Sequence, residues 1–256
     1  FHNCLTTEIS LGKNKINREE YLQKITPLFE GVTKIFISEM KKADWEMQGE
    51  VILPGLDISE YGGYSGNEKK VLRVGNLLKE RDLMMGYSFG EKVLKNHPLL
   101  TLGMNPGIPE SRISNGFDDL HNQFRNNRVY INTTVDGFED GYNLAMLEAM
   151  ATGMPVVTSK NKTSPICDGV NGFSSNDPDH LNRCIENLMQ DPVLAKEMGE
   201  EARKTVAEKF SINKFIQSWS RGVELSINDF LKRTGIDLQG DATPFAEKSR
   251  KNILMD

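Results

Sequence analysis

From residue 71 to residue 158 short apolar runs alternate with longer segments of helical spacing. The runs at 71–74, 99–103, 129–132 and 155–158 end in or against Gly, Asn or Thr and read as strands. The segments at 83–96, 117–126 and 144–152 place apolar residues three and four apart and read as helices. Strands that are separated by helices return in the same direction, because only a crossover of a dozen or more residues joins parallel neighbours. The expected class is therefore α/β, a Rossmann-like parallel sheet with helices on both faces. Pro155-Val156-Val157 shows no polar alternation, as expected of a strand buried on both sides. Sheets of this kind gather ligands at the carboxyl ends of their strands, which singles out the loops after Val74, Gly103, Asn132 and Thr158.

The segment before this unit has its own pattern. Tyr21, Ile25, Leu28 and Phe29 suit a helix over 17–29, residues 34–38 a buried strand, and 39–45 a second helix. The apolar run 51–53 stops at Pro54-Gly55, and a polar, Gly-rich stretch follows to Lys70. This divides the chain into 1–55, 56–212 and 213–256, the last a helix over 213–233 with a polar tail. Helices are also expected over 177–189 and 192–210. The opening Phe1-His2-Asn3-Cys4 reads as a strand end running into a loop, so the chain is expected to begin inside a longer gene product.

Composition removes several classes. A net charge of −5 over 256 residues works against nucleic-acid binding, which needs a surplus of cations on at least one face. Cys4, Cys167 and Cys184 form no CxxC pair, so neither a zinc site nor a disulfide framework is indicated, and a reducing, cytoplasmic compartment fits. No apolar run approaches the roughly 20 residues that span a bilayer.

The densest signal is 140–157, DGYNLAMLEAMATGMPVV: an acid, a small polar turn, a helix carrying a second acid, and a strand. Backbone N–H groups of Gly141, Tyr142 and Asn143 would lie at the start of that helix, where unpaired donors and the helix dipole favour an anion such as phosphate. Glu148, more than a turn further on, can accept two hydrogen bonds, as the paired hydroxyls of a ribose would donate.

The run 144–157 closely resembles the signature of the retaining GT-B glycosyltransferases of family four, in which two Glu with seven residues between them are followed by Ala-Met-Ala-x-Gly-x-Pro-Val-Val. The resemblance extends over roughly 1–221. It implies a GT-B fold with an incomplete N-terminal domain: 1–55 as the end of the acceptor domain, 56–212 as the nucleotide-sugar domain, and a crossover helix beyond. Pro54-Gly55-Leu56-Asp57 resembles the interdomain Asn-Gly-x-Asp linker, and Asp168-Gly169-Val170-Asn171-Gly172 the Asp-Gly-x-x-Gly turn. It further implies that Asp140 holds donor-sugar hydroxyls, that Leu144 at the helix start belongs to the donor site, and that Glu148 binds the ribose. Asp140 is one methylene shorter than the usual Glu. In the family a Gly-Arg-Leu turn and a later Lys clamp the diphosphate. Here Gly75 matches, Asn76 stands where the Arg is usual, and Arg81 stands where the Lys is usual, with Lys79 nearby. His2 is placed like a family His that reaches the sugar from across the cleft. The catalytic set implied is thus Asp140, Arg81 and His2.

The activity implied is transfer of a sugar from a nucleotide diphosphate to an acceptor hydroxyl, with retention and without a metal; the alternative is a donor-binding subunit without turnover. Asp177-Pro178-Asp179 has a metal-like spacing but precedes a helix, which capping explains. No cofactor is expected beyond the donor itself. The donor base stays open among UDP, GDP and ADP, because 103–130 is too short for the elements that help to read it. The acceptor, be it glycan, lipid or small molecule, stays open as well. GT-B acceptor domains often rest on lipid, which allows a peripheral membrane contact, although Glu19 and Glu20 among the cations of 13–24 read as a solvated face.

Overall fold

The computed structural model describes residues 17–138 and 141–236. Its first part holds α1 (Arg18–Ile25), a 3-10 turn (Thr26–Phe29), β1 (Ile35–Phe36), α2 (Glu39–Trp45) and β2 (Glu50–Val51). Asn17 caps α1 by accepting from the N–H of Glu20, 3.2 Å. Pro27, which has no N–H to donate, lies in the tighter 3-10 turn, so the helix expected over 17–29 ends early. Strands β1 and β2 pair in parallel, Ile35 opposite Glu50.

The larger part is a five-stranded sheet of β3 (Glu68–Val74), β4 (Leu99–Leu102), β5 (Asn127–Asn132), β6 (Val156–Thr158) and β7 (Gly172–Ser174). All pairs are parallel, in the order β4-β3-β5-β6-β7. Strand β7 was not expected: three residues opening on a glycine give no periodicity to read. The chain leaves β3 for β4 on one side and then returns to β5 on the other, so β3 and β5 flank the point where strand order reverses, the usual place for a ligand crevice.

Burial follows the pleat. On one face Val71, Val129, Ile131 and Val157 pack with α4 (Tyr87–Leu94) and α7 (Pro178–Gln190), through Val93, Leu181, Ile185 and Leu188. On the other, Leu72, Tyr130 and Val156 pack with α5 (Gly116–Asn126), α6 (Leu144–Thr152) and α8 (Pro192–Lys209), through Phe124, Met150, Ala202 and Val206. Successive strand residues thus point into opposite cores, as a period of two demands.

Residues 83–96 do not form one helix. The chain makes α3 (Asp82–Met85), breaks at Gly86, and resumes as α4. Gly86 has φ +59°, and a side chain there would strike the carbonyl of Thr133. The break frees two carbonyls, which accept from the loop behind β5: the Val135 N–H reaches Met84 at 2.9 Å and Thr133 Oγ1 reaches Met85 at 2.9 Å.

The linker and the last helix, α9 (Ile212–Thr234), meet at one place. The Leu56 N–H donates to Phe210, 2.7 Å, and the Ile212 N–H to Leu56, 3.0 Å. From there α9 runs back over the first part, with Gly222 against Ile35 and Ile52 and Asp229 accepting from Thr33 Oγ1, 3.2 Å. Among the described residues no helix is long and apolar enough to cross a membrane.

Helices α6 and α8 approach through two glycines, and a β-carbon on Gly199 would collide with the Gly153 carbonyl. Overpacking costs about 1–3 kcal/mol, against about 1 kcal/mol gained by alanine over glycine in a helix. A backbone carbonyl cannot swing aside, so the cost should prevail. Gly199→Ala is expected to lower the urea midpoint at unchanged slope; an equal or higher midpoint would show that the contact is not tight.

Candidate functional site

The turn after β3 is built before any ligand arrives. The Gly75 N–H donates to Leu102, 2.9 Å, and the Leu77 N–H to Met104, 2.9 Å. Asn105, buried in the loop after β4, accepts from the Leu78 N–H at 2.9 Å and donates to the Gly75 carbonyl at 2.9 Å. Asn76 Oδ1 accepts from the Met104 N–H, 2.8 Å. Asn76 therefore fastens the two loops together. Gly103, at φ +127°, lies against the Gly75 carbonyl, where a side chain would not fit. Leu77 takes a left-handed conformation, φ 53°, a strain of about 1–2 kcal/mol for a residue with a β-carbon.

Lys79 and Arg81 leave this turn with exposed side chains. Arg81 occupies the capping position of α3, and its Nη2 contacts Met84 Sδ at 2.8 Å. Among the described residues no carboxylate pairs with its guanidinium within ion-pair distance.

The end of β5 carries the second half of the site. Asn132 is buried, donates to Thr134 Oγ1 at 2.9 Å, and accepts from Asn143 Nδ2 at 3.3 Å. Asn143 caps α6 through Oδ1, which takes the Met146 N–H at 2.8 Å. That leaves the N–H groups of Leu144 and Ala145 without a backbone or side-chain acceptor among the described residues. Gly141, φ +131°, is buried beneath Ile37, which leaves no space for a β-carbon. The Tyr142 ring stands edge-on to Phe210, centroids 4.9 Å apart, and so serves packing. Leu144, 53% exposed, lines an apolar cavity of about 250 Å³ with Ile37, Pro54 and Trp219. His2, Asp140 and its neighbour Glu139 lie outside the described residues.

Residues 89–191 match the family described as glycosyl transferases group 1. EpsD of Bacillus subtilis strain 168, named as a glycosyltransferase, is 29% identical over 150 residues, 57% of this chain and 38% of its own length. The poly(ribitol-phosphate) alpha-N-acetylglucosaminyltransferase of Staphylococcus aureus strain COL is 34% identical over 86 residues, 31% of this chain and 17% of its own length. The chain thus spans well under half the length of these curated relatives. The structure of Anabaena Alr3699/HepE in complex with UDP and glucose superposes with a TM-score of 0.68 at 15% identity, covering 88% of this chain and 70% of that one. The fold is that of the GT-B glycosyltransferases, as the sequence led one to expect.

Within this domain Glu148 sits on α6 and is half-buried. Burial pushes its carboxyl above the usual carboxylate range, and the Tyr61 hydroxyl facing it pulls it partly back. Burial, followed by the charges of Glu148 and Glu60, pushes the Tyr61 phenol up to about 12. Sequence reading missed Tyr61 and Asn105, because each acts on a residue far along the chain. The ring of Tyr61 packs on His121 of α5, centroids 5.0 Å apart. Asp177 is a helix cap as expected, accepting from the N–H groups of Asp179 and His180 at 2.9 and 3.3 Å. Asp168 likewise serves its turn, accepting from the Ser174 N–H at 2.8 Å.

A carboxyl whose folded pKa is raised holds its proton longer than in the unfolded chain. Its cost to stability is absent below the ordinary Glu range and appears as pH rises through that range to the raised value. Glu148→Gln, with no charge to bury, should therefore unfold at higher urea than the parent near about pH 8, the difference vanishing near about pH 4. A difference independent of pH would show that the carboxylate is not desolvated.

Proposed function

We propose that this domain holds the nucleotide-sugar donor of a glycosyltransferase, which passes the sugar to an acceptor hydroxyl. The observation that carries the reading is the hydrogen-bonded rim at the β3–β5 crevice. There the turn bearing Lys79 and Arg81 and the open start of α6 are joined through Met84, Met85 and the loop behind β5. The diphosphate would rest on the N–H groups at the start of α6, with Arg81 offering a planar fork of donors and Lys79 a second charge. Glu148 would take the ribose hydroxyls and Asp140 the hydroxyls of the sugar. Preformed donors aimed at the leaving diphosphate would supply much of the rate enhancement without reorganising during the reaction. No metal is required by such a clamp, and retention follows the resemblance of 144–157. HepE, whose structure holds UDP and glucose, supports UDP as the first nucleotide to try.

One observation favours a second reading, donor binding without turnover. Asn76 is engaged in joining loops and brings no charge to the place where the family has an arginine.

Calorimetry with UDP, GDP and ADP tests the shared part. Glu148→Ala should weaken the bound nucleotide about tenfold or more, the loss expected when hydrogen bonds to a charged group are removed. Arg81→Ala should weaken the diphosphate while leaving the bare nucleoside unaffected. Failure of all three nucleotides to bind would end the proposal. Release of free sugar from the nucleotide sugar that binds would then separate turnover from binding alone.

A further inference from the structure

The cavity beside the start of α6 lies where the two parts of the chain and the last helix meet. Ile35 in β1, with Ile37 and Ile52 just past β1 and β2, forms one wall, and Pro54 of the linker adds to it. Leu144 lines it from α6 and Trp219 from α9. Among the described residues its lining includes no charged side chain. Its volume is about 250 Å³, and a carbon-lined cavity of roughly 150 Å³ is enough to take a benzene ring.

The lining decides what can enter. A sugar ring would carry several hydroxyls away from water, and each one left without a partner costs more than its carbon gains. A diphosphate would shed still more hydration. An alkyl chain has nothing to satisfy, and every methylene removed from water favours it.

Beyond the cavity the apolar surface goes on. Val223, Ile227 and Phe230 follow Trp219 at intervals of four, four and three residues, along one face of α9. Each is about half exposed. A contiguous apolar patch of this kind marks a binding surface, and a narrow track suits a chain better than a ring. Leu144 ties the cavity to the donor. Its side chain lines the cavity, and its backbone N–H is one of the two without an acceptor at the start of α6. A guest in the cavity therefore lies one residue from the seat of the diphosphate, where an accepting hydroxyl has to come.

We propose that the acceptor hydroxyl is borne by an alkyl chain of lipid type, which sits in this cavity and runs on along Trp219, Val223 and Ile227. This rests on the donor reading of the α6 start, and the test keeps the two apart. Calorimetry with hexanol, octanol and dodecanol, each below its solubility limit, is run on the parent chain, Trp219→Glu and Val223→Glu, with glycerol as the polar control. The octanol titration of the parent is repeated in the presence of saturating UDP, GDP or ADP.

In the parent, octanol should bind about tenfold more tightly than hexanol, because two further methylenes are buried. Dodecanol should bind more tightly again, and glycerol not at all. Trp219→Glu sets a carboxylate at the cavity and should weaken all three alcohols about tenfold or more. Val223→Glu, one turn further on, should leave octanol unchanged and remove the advantage of dodecanol. Octanol and the nucleotide should occupy the chain together. Parent affinity that does not rise with chain length, a result that needs no variant to fold, would overturn the proposal. So would competition between octanol and nucleotide, or a Trp219→Glu chain that binds like the parent. A Val223→Glu chain that keeps the dodecanol advantage would overturn the track along α9. Alcohols that behave as expected on a chain that binds no nucleotide would instead overturn the donor reading, and with it the acceptor role of the chain in the cavity.

Discussion

A parallel sheet has to be covered on both faces, and this requirement governs the molecule. Val71 and Leu72 point into separate cores, as do Val129 and Tyr130, or Val157 and Val156. Both faces are thereby spent on helices, and unpaired backbone can reach a ligand only at the ends of the strands. The carboxyl ends of β3 and β5 are where strand order reverses, so the crevice and the polar side chains of the rim arise in the same place. Buried polar residues crowd that rim: Asn105, Asn132, Thr133, Thr134 and Ser159. Each has hydrogen-bond partners there, as groups removed from water must.

The sequence was informative where the cause is local. Helix α6 spans the residues its spacing indicated, because the cap, the apolar face and the glycine stop all lie within a dozen positions. Asp177 could be read as a cap rather than a metal ligand for the same reason: its partners are two and three residues away. The acidic pair was read by resemblance alone; Asp140 falls outside the described residues, and for Glu148 the structure gives its place on α6 and its burial.

Distance along the chain is what hid the rest. Nothing near Gly86 announces a helix break, since the carbonyl that demands it belongs to Thr133, and the bond that exploits it spans 48 positions. Asn105 serves Leu78 and Gly75, 27 and 30 positions back. Asn76 read as an arginine lost from a clamp, and the structure gives it employment as a tie. In each case a side chain of ordinary type acquires its role from a neighbour supplied by the fold.

The place where Leu56 lies beside Ser211 has a mechanical consequence. The chain passes between the small sheet and the large one twice among the described residues, and the two passages run parallel and hydrogen-bonded at this spot. Pulling the small sheet straight away from the large one would first have to break both of the bonds that flank Leu56.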